Sequence, residues 1–413
     1  MKDQIRLGVI GLSGRGFGLI TTVLRTEGIQ IAAVCDWYED RRQRAVREVE
    51  KAAGNTPFST ENYRDVLAME EIDAVIVPTS WADHVNVAID AMKAGKYVAT
   101  EVGGAYSVED CWELVRTHEA TGVPCMMLEN CCYGREELMV LNMVKKGLFG
   151  EVVHCEGGYH HDLREEIANG RENRHYRLIN YMHRNCENYP THELGPIAKI
   201  LDINRGNRML SLVSMASKAS GLHEYIRKEK GEGYDLAEYP FAQGDVVTTI
   251  VKCAHGETIT LTLDTTLPRA YSRGFQVHGT KATYLEDNNT LFLDGIHNAY
   301  EFKWKEQWNN TEQLRKEYDH PIWQTYTPDE EAGHGGMDML VLEAFFDSVR
   351  RKVQTPIDVY DMASWMSITA LSEQSIAMGG MPAAIPDFTN GRWLSREEAP
   401  EGPYCLAKIC EYK

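Results

Sequence analysis

Apolar residues are spaced in two different ways along this chain, and the change falls near residue 150. Before it, short continuous apolar runs alternate with stretches of helical period. The runs are Ile5–Ile10, Ile29–Cys35, 72–77, 97–100 and 125–128; the helical stretches are 17–24, 41–53, 62–69, 85–94, 108–121 and 134–147. Strands alternating with helices predict a parallel, doubly wound sheet. After it, strand-like segments follow one another with little helix between them, at 151–159, 209–217, 245–254, 258–264, 274–279 and 282–286. These predict a mostly antiparallel sheet. Residues 341–350 and 360–378 read as helices, 223–238 as a charged, glycine-containing loop, and everything from Thr389 as a polar, peripheral tail. The fold class is therefore α/β: a doubly wound domain over 1–130, an α+β domain over 131–388, and a tail over 389–413.

The first run leads into Gly11-Leu-Ser-Gly-Arg-Gly16, then a helix, then a strand that ends at Asp36. This is the layout of a dinucleotide-binding unit. Glycines let backbone N–H groups approach a pyrophosphate at a helix start. A carboxylate 20 residues beyond Gly16 is placed to hold both ribose hydroxyls of NAD. Ser13 stands where the motif's middle glycine is usual, with Gly14 beside it. Asp36 favours NAD, since it would repel a 2′-phosphate; Arg41 and Arg42 keep NADP as a weaker alternative. Trp81, His84, Glu101 and Asn130 all fall at the carboxyl ends of predicted strands, the rim where such sheets bind ligands.

A second concentration of polar chemistry lies ahead of the apolar helix pattern 194–201. Arg177, His183, Arg184, Tyr189, Thr191 and His192 crowd into sixteen positions. Thr191 is a candidate N-cap, which puts His192 in the first helical turn. Packing at the start of a helix would explain Tyr189 and His192 equally well from this stretch alone. His160, His161 and Asp162 fit no strong zinc spacing, and on a strand His161 shares a face with Tyr159 rather than with His160; no metal is expected. Glu129, Glu165 and Glu166 are candidates for a hydrolytic carboxylate pair, but the required separation is not written in a sequence.

A formal net charge of -18 argues against nucleic acid and anionic membranes as partners. The ten cysteines form no Cys-x-x-Cys pair and read as reduced thiols. The opening residues are not a signal region, and no run of about 18 apolar residues occurs. A soluble, cytoplasmic protein is expected.

Taken together, these residues resemble the Gfo/Idh/MocA oxidoreductases with their Rossmann domain. Over the whole chain they resemble more closely the NAD-dependent glycoside hydrolase family 109, typified by α-N-acetylgalactosaminidases. The matching pieces are the glycine loop with Asp36, Trp81-Ala-Asp-His84, Glu101-Val102, Met127-Leu-Glu-Asn130 and Gly157-Gly-Tyr-His-His-Asp-Leu-Arg164. They continue with Arg177, Arg184-Asn185, Tyr189-Pro-Thr-His192, Gly195-Pro196, Leu267-Pro-Arg-Ala-Tyr-Ser-Arg273, Gly279-Thr-Lys281 and Gly333-His-Gly-Gly-Met-Asp338.

The resemblance implies a glycosidase that oxidises a sugar hydroxyl with a retained NAD, eliminates the aglycone, adds water and reduces the sugar again. It implies Tyr189 and His192 as acid/base residues. Sugar contacts would come from Tyr159, Arg177, Tyr189, Pro190, Thr191, His192 and Tyr271. NAD would be held by Ser13, Gly14, Arg15, Gly16, Asp36, Trp81, Ala82, Asp83, His84, Glu101, Val102, Asn130 and Tyr189. It also implies a homo-oligomer associating through the exposed face of the second sheet. The dehydrogenases of the superfamily usually carry Glu-Lys-Pro where this chain has Glu101-Val102-Gly103, which counts against a plain sugar or inositol dehydrogenase. A non-enzymatic NAD or sugar sensor is the other alternative. Glu193, His160 and Asn188 depart from the family's usual residues and leave the sugar open.

Overall fold

The computed structural model describes residues 4–300, 302–328, 333–396, 401–407 and 409. Residues 1–3 of the expected first domain and 397–400, 408 and 410–413 of the expected tail lie outside them. The first sheet contains β1 (Ile5–Ile10), β2 (Ile29–Cys35), β3 (Phe58–Thr60), β4 (Ala74–Val77), β5 (Tyr97–Thr100) and β6 (Cys125–Met127). Its order is β3-β2-β1-β4-β5-β6, with every neighbouring pair parallel. Continuous apolar runs suit strands covered on both faces, and all of β4 and β6 is buried. The connecting helices are α1 (Gly14–Val23), α2 (Glu39–Ala53), α3 (Tyr63–Ala68), α4 (His84–Lys93) and α5 (Val108–Thr121). The strand order reverses between β1 and β4, which opens a crevice at the carboxyl ends of those strands. Helix α1 starts three residues before the apolar period does. The glycine loop itself forms its first turn, and Gly16 lies so close to the Gly11 carbonyl that a Cβ there would sit 2.1 Å from the oxygen.

The second sheet is built from β7 (Val152–His160), β8 (Met209–Ala216), β9 (Val246–Cys253), β10 (Thr258–Asp264), β11 (Gln276–Gly279), β12 (Ala282–Leu285), β13 (Thr290–Leu293) and β14 (Ala383–Ala384). The order is β13-β12-β11-β7-β10-β9-β8-β14, antiparallel throughout except for the parallel pair β7–β10. All six expected strand segments are present; β13 and β14 are too short to carry a readable period. Strict alternation on β9 buries Val247, Thr249, Val251 and Cys253 and exposes Thr248, Ile250 and Lys252. Helices α6 (Arg135–Lys145), α7 (Arg164–Ala168), α8 (Arg177–His183), α9 (Thr191–Ile200) and α10 (Gly221–Lys230) accompany this sheet.

Two expectations are corrected. Part of the anticipated loop 223–238 is helix α10. It buries Leu222 and Ile226, carries Arg227, Lys228 and Lys230 in its last turn, and has its first N–H groups held by buried Asp245. The basic last turn complements the helix dipole, which charge density alone disguised. The tail is not peripheral: Thr389, Cys405, Leu406 and Ala407 are buried, and the Tyr404 carbonyl accepts the Tyr133 hydroxyl.

The chain forms two compact units. One is Met1–Arg135 with His320–Ala363 and Glu397–Lys413; the other is Glu136–Asp319 with Ser364–Arg396. Among the described residues no helix is long and apolar enough to cross a membrane.

Candidate active site

In the first unit, the candidate cofactor residues gather at the carboxyl ends of β1, β2, β4 and β5. Ser13 immediately precedes α1, and its carbonyl accepts the Phe17 N–H; Gly14 and Arg15 open the helix. Asp36, directly after β2, accepts the Leu12 N–H through Oδ2 at 2.7 Å and the Tyr38 N–H through Oδ1 at 2.9 Å. The acid is thereby tied to the glycine turn. Arg41 lies 3.8 Å from its Oδ2.

Between β4 and α4, the 81–84 turn is closed by Ser80, whose carbonyl accepts Asp83 N–H and His84 N–H and whose hydroxyl bonds Asp83. Ala82 is exposed at its tip and Trp81 is buried. His84 is buried, and its Nε2 donates to the Thr79 carbonyl at 2.7 Å; burial pushes its pKa down to about 4. The imidazole is therefore neutral, and its buried Nδ1 has no hydrogen-bond partner among the described residues. Trp81 packs against Gly103, where a Cβ would come within 2.3 Å of the indole and where φ is +143°. Proline cannot adopt that φ, so the departure from Glu-Lys-Pro at 101–103 has a local steric cause.

Glu101 follows β5 and accepts Arg15 Nε at 2.8 Å; burial raises its pKa, against the opposing pull of Arg15. Arg15 also makes a two-point contact with Asp338, at 2.6 and 3.0 Å. Asn130 donates to the same carboxylate at 2.7 Å, and His334 Nδ1 lies 2.8 Å from it. Burial favours the neutral form of Asp338, but His334 and Arg15 outweigh it and hold the carboxyl well below the usual range. Gly333, His334, Gly335 and Gly336 all have positive φ, so the chain curls around Asp338 before the helix Met337–Arg351. The Gly333–Asp338 stretch is one of the pieces that carry the family resemblance, and His334-Gly335-Gly336 could be read either as a pocket-lining loop or as a helix start; the structure places His334 and Asp338 beside Arg15. The glycine turn, the Asp36 carboxylate beside it, the cationic Arg15 and the buried Nδ1 of His84 offer donors and acceptors that fit a dinucleotide.

In the second unit, five of the expected sugar-side residues converge. The Tyr159 ring lies 4.3 Å from Tyr189, 5.3 Å from His192 and 6.4 Å from Tyr271; Tyr189 and His192 are 4.8 Å apart and edge-on. The Arg177 guanidinium sits 5.1 Å from the Tyr189 ring and 5.9 Å from that of Tyr159, within cation–π range. Glu166 is 3.1 Å from Arg177 Nε. Tyr159 and Tyr189 are buried, while Tyr271 is 50% exposed and forms the open side.

Thr191 is not the N-cap. Pro190, with φ -75°, takes the boundary position, and Thr191 is the first helical residue, its hydroxyl buried without a partner among the described residues. His192 remains in the first turn. Behind Tyr189, the Glu187 carboxyl is 1% exposed; Oε1 accepts the Tyr189 N–H at 3.4 Å, and Oε2 is unpaired among the described residues. Burial pushes its pKa up to about 8. Thr369 and Ser372 clamp the Glu187 backbone on both sides.

The three departures noted above lead away from this cluster. Glu193 packs on Gly157 of β7 and pairs with Arg273 at 2.9 Å, Asn188 donates to Gln243, and His160 projects from the strand face opposite Tyr159.

The sequence matches the glycosyl hydrolase 109 C-terminal domain over residues 133–395. It matches the oxidoreductase family with NAD-binding Rossmann fold over residues 5–129. It is 40% identical to an α-N-acetylgalactosaminidase of Tannerella forsythia, over 96% of this chain and 88% of that one. To the α-N-acetylgalactosaminidase of Shewanella oneidensis it is 38% identical, over 95% and 86%. Among solved structures, levoglucosan dehydrogenase with NADH and levoglucosan superposes with a TM-score of 0.69 at 14% identity, covering 93% of this chain and 100% of that one. Myo-inositol 2-dehydrogenase of Lactobacillus plantarum gives 0.66 at 14%, with the same coverage. These two likenesses concern the fold.

Proposed function

The chain belongs to glycosyl hydrolase family 109, an enzyme family, and carries an NAD-binding Rossmann domain; from that premise we propose that it hydrolyses α-N-acetylgalactosaminides by transient oxidation of the sugar. The observation that carries this reading is the Tyr159–Tyr189–His192–Arg177 cluster in a glycosidase whose first 129 residues contain an NAD-binding fold. Bound NAD supplies a hydride acceptor that becomes the donor again later in the same turnover.

The rest is the work of side chains. Glu101, Val102, Asn130, Arg15 and the 81–84 turn would hold the cofactor with Ser13, Gly14, Gly16 and Asp36, and Tyr189 would be a further cofactor residue. Arg177, Tyr159, Tyr271, Pro190 and Thr191 orient the sugar. Oxidation of a ring hydroxyl acidifies the neighbouring C–H. His192 removes that proton, the easier base because a phenol at its ordinary pKa is a poor acceptor near neutral pH. Tyr189 gives its proton to the leaving group and recovers one from the water that adds afterwards, while His192 returns its proton to the ring carbon. Water then adds to the enone, and the sugar is reduced. In this division residues 1–130, joined by the Gly333–Asp338 turn that holds Arg15, serve the cofactor, the rest of 131–388 serves the sugar and self-association, and 389–413 form the tail.

Self-association is assigned to the outer face of the second sheet, where Met215 is 60% and Ile250 46% exposed. A cytoplasmic location is supported by the cysteines, since the described ones are buried and outside disulfides.

The test is hydrolysis of an aryl α-N-acetylgalactosaminide in deuterated water. Deuterium at C2 of the released sugar, with no build-up of NADH, is the expected outcome. Cleavage without deuterium rejects elimination, and NADH accumulating in step with substrate identifies a dehydrogenase.

A further inference from the structure

Tyr159 and His161 lie two residues apart at the end of β7, so their side chains leave the same side of the chain. The Tyr159 hydroxyl is 2.9 Å from Nδ1 of His161, and the two rings are edge-on at 5.5 Å. The His161 ring stands at 89° to that of Tyr271, 5.1 Å away. This places the imidazole on the open side of the cluster and behind the hydroxyl of its most central phenol. No role in the reaction described above requires His161.

We infer that His161 is a positioning residue that stores a proton for Tyr159 during the oxidised phase of the cycle. The inference rests on the redox-elimination reading and adds to it a place for the second half of the abstracted hydrogen pair. When the sugar hydroxyl is oxidised, its C–H and O–H bonds break and a C=O bond forms. The C–H electron pair leaves as hydride to the nicotinamide. The hydroxyl proton passes to the Tyr159 oxygen, and the proton already on that oxygen forms an N–H bond at Nδ1, giving an imidazolium. Re-forming the hydroxyl reverses each transfer, so the proton released on oxidation is at hand for the reduction.

The surroundings suit both protonation states. Burial and the Arg177 cation hold the imidazole below the ordinary histidine value, with a smaller push from His192, so it starts neutral with Nδ1 able to accept. Glu166 and Asp162 act in the opposite sense and offset the charge once it forms. A phenol by itself is a poor proton acceptor; handing its own proton to Nδ1 as it accepts another avoids a free tyrosinate.

The test compares wild type, His161→Gln, Tyr159→Phe and the double variant on an aryl α-N-acetylgalactosaminide across pH, together with nitrogen-15 NMR of the imidazoles. His161→Gln is expected to lower kcat about 10²-fold, the low end for proton-transfer groups, and to reduce the acid limb of the rate profile to the single ionisation that His192, as the remaining base, imposes. KM should move by less than about threefold, because His161 acts through Tyr159 rather than on ground-state binding. The double variant should be no slower than Tyr159→Phe. In the NMR titration, Tyr159→Phe should raise the His161 pKa, since it removes a donor to the neutral ring. A near-normal rate and profile in His161→Gln, multiplicative losses in the double variant, or an unmoved imidazole pKa would each overturn the proton store. A wild type that turns over no glycoside would instead sink the redox-elimination reading beneath it.

Discussion

Tyr189 and His192 are neighbours in the chain, and their rings are neighbours in space because one turn of α9 begins between them. On the proposed roles, His192→Ala and Tyr189→Phe each lose at least ~10²-fold in turnover with retained secondary structure; near-normal rates in both would remove them from proton transfer. Glu187 makes a different prediction. Its folded pKa of about 8 lies above the ordinary glutamate value, so the folded state holds its proton where the unfolded chain has released it. Stability from this group is therefore lost as pH rises from about 4.3 to about 8. Glu187→Gln carries no such loss, and its melting temperature should gain on wild type steadily across that interval; parallel curves would show that Glu187 is ionised in the fold. Residues of this kind separate what a sequence discloses from what it withholds. The Tyr-Pro-Thr-His run is local and was readable. The burial of Glu187 depends on Thr369 and Ser372, more than 180 positions away, which no local pattern announces.

At the scale of elements, the glycine turn, α1, β2 and Asp36 were legible because one βαβ unit brings them together over 31 residues, from β1 to β2. The Gly333–Asp338 stretch was legible only as a motif; its pairing with Arg15 was not, because Asp338 arrives on the start of a helix 323 positions away. That helix start is central to cofactor affinity as proposed. Asp338→Ala leaves Arg15, Asn130 and His334 without their shared acceptor and should weaken NAD binding by at least about 10-fold, or about 1.4 kcal/mol, in a fluorescence titration. An unchanged Kd would assign Asp338 to folding alone. Helix α10 was missed for another reason. Its charged, glycine-flanked composition resembles a loop, and only the buried Asp245 carboxylate shows why it is wound.

The whole molecule pairs a sheet covered on both faces with one whose outer face carries exposed Thr248, Ile250 and Met215. If that face joins copies of the chain, Ile250→Asp combined with Met215→Asp should yield monomers in light scattering while circular dichroism stays constant. Oligomers of unchanged mass would refer association to another surface. The period-two alternation made this second sheet visible in the sequence, but not its strand order, because order is a matter of long connections rather than of spacing.

One of those connections bears on how the enzyme comes into being. The parallel joining of β7 to β10 aligns His154 with Thr258, 104 residues later, and sets Tyr159 beside Leu263, just ahead of the segment that delivers Tyr271. Closing so wide a loop is a late and slow event in folding. A nascent chain thus cannot assemble its aromatic nest piecemeal, and catalytic competence arrives only when the sheet has closed around its central seam.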